Sequence, residues 1–104
     1  MNDHQFGFKS GDLEIVIQVL SRFPKIEKAV IFGSRAKGSN QTGSDVDIAI
    51  WTINTEIIGQ VSGILNDETL LPYKFDVLDY HHITNTVLKQ QIDKSGIKVY
   101  PDRL

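Results

Sequence analysis

Asp45 and Asp47, two carboxylates one residue apart, follow a Gly33-Ser34 pair after an interval of ten residues. On a strand, side chains at i and i+2 share a face with α-carbons roughly 6.6 Å apart, so this pair can converge on one cation while Val46 turns into a core. Hard oxygen donors of this kind suit magnesium. Upstream, the apolar run 29–32 ends at Gly33, which permits an unusual φ or a close backbone approach. Ser34 can then cap a short helix whose free N–H groups face an anion. Types and spacing together describe metal-assisted chemistry on a phosphate-bearing substrate.

Each part alone is common, since Gly-Ser turns and aspartates at strand entrances occur without function. The combination is more specific: an apolar run before Gly33, a second small residue at Gly38, Ser44 directly before Asp45, and apolar residues 48–50 after Asp47. Segment 29–50 resembles the signature of the DNA polymerase β-type nucleotidyltransferase superfamily. The chain's small size makes it similar to the minimal nucleotidyltransferases, the MNT or MntA-like group. The resemblance implies that Gly33 and Ser34 contact a nucleoside triphosphate, with Arg35 and Ser44 beside them in the nucleotide-binding set. By spacing, Arg35 and Lys37 either add charge to phosphate oxygens or stand in solvent.

Nucleotidyl transfer needs phosphate charge neutralised, an oxygen nucleophile activated and pyrophosphate stabilised as it leaves, work that two magnesium ions about 3.5–4 Å apart can share. Family members carry a third acidic residue on a strand next to the Asp-x-Asp strand, and Asp76, between Phe75 and Val77, matches it. An aspartate interrupting an apolar strand is costly to bury without an ion, a hydrogen-bond network or solvent. Asp79, at the strand exit, is the alternative. By resemblance, Asp45 and Asp47 hold both metals, and Asp76 completes the catalytic one and helps activate the attacking hydroxyl. Which carboxylate acts as base stays open.

The elements that must position these residues follow from periodicity. Segment 10–23 places Leu13, Val16, Ile17 and Leu20 on one helical stripe, with Ser10 or Asp12 as N-cap and Pro24 closing it. Strands are expected at 28–32 and 45–51, joined by the 33–44 connection with its short helix. Asn54 or Thr55 caps a helix carrying Ile57, Ile58, Val61, Ile64 and Leu65, and a polar turn at 66–69 leads to a third strand at 74–78. Thr84 starts a last helix with Val87, Leu88, Gln91 and Ile92 inward, ended by Gly96 as the residue after the C-cap, before a short strand at 97–100. This order predicts an α/β (α+β) fold, a small mixed sheet with helices mainly on one face, as in the polymerase β-type nucleotidyltransferases.

At 104 residues the chain is expected to be one domain, 1–104, with a real core but no room for a separate acceptor-binding domain. A net charge of −2 argues against a general nucleic-acid binder, and part of the acidic excess is the carboxylate cluster itself. No apolar stretch approaches membrane-spanning length and no secretory pattern is visible. The absence of cysteine excludes disulfides and thiolate metal sites and fits a cytoplasmic protein. His81 and His82 stand in a polar segment outside the site. Trp51 is expected in the core, with a partner interface as the alternative, and Tyr73 and Tyr80 are expected to pack, with base stacking as theirs.

The resemblance implies transfer of AMP from ATP, with magnesium as cofactor, to a hydroxyl of a partner macromolecule. Close relatives in that group are antitoxins paired with a small helical HEPN-type ribonuclease that is modified on tyrosine. Because residues 1–104 leave nothing to build an acceptor-gripping region, a separate helical partner is expected to cover the cleft. Two other readings stand: a subunit that neutralises its partner by contact alone, and the catalytic subunit of a heteromeric enzyme acting on a small molecule.

Overall fold

The computed structural model describes residues 3–38 and 43–101. A single 3-10 turn at Asp3–Phe6 precedes α1 (Asp12–Ser21), β1 (Ile26–Phe32), a one-turn α2 (Ser34–Lys37) and β2 (Val46–Thr52). Then come α3 (Glu56–Gly63), a π-helical turn at Ile64–Glu68, β3 (Phe75–Asp79), a 3-10 turn at Tyr80–His82, α4 (Thr86–Ser95) and β4 (Ile97–Tyr100). The strands form one mixed sheet in the order β3-β2-β1-β4. β1 runs antiparallel to both β2 and β4, whereas β2 and β3 are parallel and joined through α3.

Alternation along the strands divides the core. Ala29 and Ile31 of β1, Val46, Ile48 and Ile50 of β2 and Val99 of β4 face α1 and α3, where Leu13, Val16, Val19, Leu20, Ile57, Val61 and Leu65 meet them. The other face holds a smaller cluster of Val30, Phe32, Ala49 and Ile92, with Trp51, Leu78, Tyr80, Ile83 and Leu88 packed against it. The sheet is therefore mixed and covered mainly on one side, as the element order predicts.

Several local expectations shift. Neither Ser10 nor Asp12 caps α1. Gly11 is the N-cap, and the carboxylate of Asp3 accepts from the N–H groups of Leu13 (2.7 Å) and Gly11 (3.2 Å), reaching the helix end from eight to ten residues upstream. The Leu13 bond, chiefly, holds the Asp3 carboxyl below its ordinary range. Val19 rather than Ile17 completes the buried stripe of α1. Asn54 accepts from Glu56 N at the start of α3, and Asn85, not Thr84, caps α4 by accepting from Leu88 N at 3.1 Å. On α4 only Ile92 is buried and Leu88 half-buried, while Val87 and Gln91 face outward. Gly96 keeps an ordinary φ of −68°. A Cβ there would run into Val30 Cγ1 and the Ile92 carbonyl oxygen, so close packing of the end of α4 on β1 is what needs glycine.

Candidate active site

Parallel pairing of β2 with β3 brings the starts of both strands to one end of the sheet. Asp47 and Asp76 are Cα partners across that pair, and Phe32 is the partner of Asp47 on the other side. Directly paired residues share a face, so both carboxylates lie on the side carrying the smaller core cluster. Asp45, exposed, stands just before β2; Asp47 is half-buried and Asp76 exposed. The Asp47 carboxyl is pushed above its ordinary range, first by burial and then by the charges of Asp76 and Asp45. Asp76 is thus placed directly across from Asp47, and Asp45 two residues before it.

The Gly33 turn abuts the same group. Gly33 adopts φ 77°, ψ −152°, a region open to glycine, and a Cβ built on it would sit 2.6 Å from Asp47 Oδ2. Backbone and carboxylate approach so closely that no side chain fits between them. Ser34 does not cap α2 as the sequence suggests. Gly33 is the N-cap, without a side-chain cap bond, and Ser34 is the first helical residue, half-buried beside the turn. Residues 39–42 of the predicted 33–44 connection lie outside the described residues.

Arg35 departs most from expectation. Instead of facing phosphate it is turned inward and is 4% exposed. Its Nε (3.1 Å) and Nη2 (2.8 Å) both donate to the Ser44 carbonyl, and its Nη1 donates to the Phe6 carbonyl at 3.0 Å. The guanidinium carbon lies 4.8 Å from the centre of the Tyr73 ring and 5.8 Å from that of Phe8. Lys37, by contrast, is exposed. Tyr73 packs between Phe8 and Phe75, and its hydroxyl donates to Asp12, so its ring is not available for a base.

Asp79 is at the far end of β3, where it accepts from His81 N and bonds His82 Nδ1 at 2.8 Å. Tyr80 and Trp51 stack there at 4.0 Å, remote in register from Asp47 and Asp76. Sequence reasoning missed Asn66. From the π-helical turn its Oδ1 accepts from Phe75 N at 2.8 Å and its Nδ2 donates to Phe75 O at 3.0 Å, pinning the residue just before Asp76. Nothing in the hydrophobic period marks it, because its partner is a backbone nine residues away.

Among the described residues no group of three metal-ligating side chains is closed around a common point. The donor set nevertheless suits a hard cation. It is all carboxylate oxygen, and mutual repulsion at Asp47 is what a divalent ion would relieve.

The polymerase β nucleotidyltransferase description, "Polymerase beta, Nucleotidyltransferase", matches residues 14–103. The chain belongs to that family. Comparison with curated protein sequences gives no match. Among solved structures, this nucleotidyltransferase is similar to a toxin–antitoxin complex with AMP-PNP (TM-score 0.72, 24% identity, covering 88% of this chain and 75% of that one). It also resembles a mutant MntA–HpeT toxin–antitoxin (TM-score 0.70, 21% identity, 88% and 75% covered). A third is a tri-AMPylated Shewanella oneidensis HEPN toxin in complex with its MNT antitoxin (TM-score 0.56, 21% identity, 85% and 68% covered). At these identities the likeness is one of fold.

Proposed function

We propose that this nucleotidyltransferase moves AMP from ATP to a hydroxyl of a partner protein, and that the partner is a helical HEPN-type toxin for which it serves as antitoxin. The observation that carries the reading is the crowding of Asp45 and Asp76 around the half-buried Asp47, with the Gly33 backbone against its carboxylate. Support for the acceptor comes from the solved complexes of like fold, one of which holds an AMPylated HEPN toxin.

In this reading Asp45, Asp47 and Asp76 hold magnesium, which when bound supplies charge neutralisation on the phosphates and polarisation of the reacting oxygens. The chain's own contribution is placement. Gly33 and Ser34 orient the triphosphate, Ser44 leads into the carboxylate strand, and Asp76 stands on the neighbouring strand, where an acceptor hydroxyl would lose its proton. Asp45 and Asp76 are exposed, so an acceptor brought by a separate partner can reach them.

The test is incubation of the purified chain with α-labelled ATP and magnesium, alone and with its co-expressed partner. Label on the partner protein is the expected result. No transfer with a bound partner would leave a neutralising subunit without chemistry, and label on a free small acceptor would move the reading to a small-molecule enzyme.

A further inference from the structure

We propose that Arg35 is a positioning residue for this reaction, which sets the Gly33-Ser34 turn and the Asp45–Asp47 strand at a fixed separation without touching the nucleotide. The inference rests on the proposed function and adds to it a residue that neither the motif nor the chemistry requires.

The geometry is that of a clamp on backbone. Two N–H groups of one guanidinium edge converge on the Ser44 carbonyl, the peptide immediately before Asp45, and the third contact reaches the Phe6 carbonyl. Arg35 itself belongs to α2, the turn that begins at Ser34, so its side chain bridges the start of the motif to its end across nine residues. The charge is almost fully buried, and among the described residues it has no carboxylate in ion-pair range; it rests on the faces of Tyr73 and Phe8. A buried cation answered, among the described residues, by carbonyls and ring faces is a poor way to stabilise a fold, since taking a charge out of water is costly and apolar packing of similar volume often does as well. It is a good way to hold two segments in one geometry, because the planar fork fixes direction as well as distance.

Gly33-Ser34 and Asp45–Asp47 would grip different parts of one ligand, the triphosphate and its metal. Loosening the clamp leaves each grip intact and weakens their cooperation. The consequence is a specific signature in binding. A non-hydrolysable ATP analogue is titrated calorimetrically into wild type and Arg35→Lys, each with and without magnesium. Coupling between two sites typically amounts to about 5- to 150-fold. The wild type is expected to bind the analogue more tightly with magnesium. In Arg35→Lys, which keeps the charge but not the fork, that tightening should fall about tenfold while metal-free affinity changes by less than about threefold.

If the lysine variant does not fold, Arg35→Gln is measured in the same way. A folded variant whose magnesium-dependent tightening equals that of wild type overturns the inference alone. Equal loss of metal-free and metal-dependent binding also overturns it, as would failure of both variants to fold, which would assign Arg35 to the fold only. A wild type that shows no magnesium-dependent tightening would instead overturn the proposed function on which the inference rests.

Discussion

The two ends of the parallel β2–β3 pair use the same residue types and differ in how their charges are answered. At the exit end, Asp79 bonds His82 Nδ1 and His81 N, and the Tyr80 hydroxyl donates to Asp93 at 2.7 Å. The Trp51 and Tyr80 rings stack there, with Lys28 over the first and Lys89 over the second. At the entrance end burial works against the charge of Asp47, and the charges of Asp76 and Asp45 add to it. Partnered carboxylates at one end contribute order; crowded carboxylates at the other are maintained by the fold against their own repulsion. Such conflict marks a functional site more often than a structural one.

Removing one carboxylate from each end separates the two most clearly. Asp47→Asn and Asp76→Ala are each expected to lower AMP transfer by about 10²- to 10⁴-fold, the range for a positioned catalytic group, with circular dichroism unchanged. Asp79→Asn should cost less than about threefold in rate, because its partners are a histidine and a turn N–H. A dead Asp79 variant beside an active Asp76 variant would reverse the assignment of the two ends.

A second pair of substitutions tests how tightly the entrance end is held. Gly33→Ala places a Cβ on Asp47 Oδ2 and asks alanine to adopt a backbone that costs about 1–3 kcal/mol. Displacing the carboxylate by about 1 Å is expected to lower transfer about 10²-fold. Asn66→Ala, which frees both backbone groups of Phe75, should cost about 1–2 kcal/mol in urea denaturation and a smaller loss of turnover. Equal activity in Gly33→Ala and wild type would mean that the close approach is not functional.

The architecture and the carboxylates were legible because they depend on local rules. Period 2 and period 3.6 locate the strands and most helices, and the alternation that buries Val46 and Ile48 turns Asp47 to the other face, although Asp45 stands before β2 rather than on it. What was hidden depends on partners distant in sequence. Arg35 reads as a phosphate ligand next to Gly33-Ser34 because nothing local reveals that Ser44 O and Phe6 O will draw it inward. Asn66 reads as a turn residue because the π-helical turn that aims it at Phe75 leaves no mark in composition. The caps moved for the same reason: Asp3 reaches α1 from outside the helix.

The smallest expected effect separates the two ends by stability rather than rate. Burial, and then the charges of Asp76 and Asp45, raise the folded-state pKa of Asp47 above the ordinary carboxylate range, so the folded chain holds a proton there more readily than the unfolded chain does. The ionised carboxylate therefore costs stability at neutral pH, and the cost shrinks as pH falls through the raised folded-state pKa and vanishes below the unfolded-state pKa, where both states are protonated. In the absence of divalent ions, Asp47→Asn should accordingly melt above wild type at pH 7, with the difference shrinking to nothing on acidification. Magnesium should reverse the order at pH 7, since a bound cation turns the repulsion at Asp47 into attraction only where the carboxylate remains. Asp79→Asn should lose a little stability through its histidine and turn contacts and gain nothing from metal. Two melting series, with and without magnesium, decide it: an Asp47→Asn variant less stable than wild type in metal-free buffer at pH 7 would show that ionising Asp47 does not cost the fold stability.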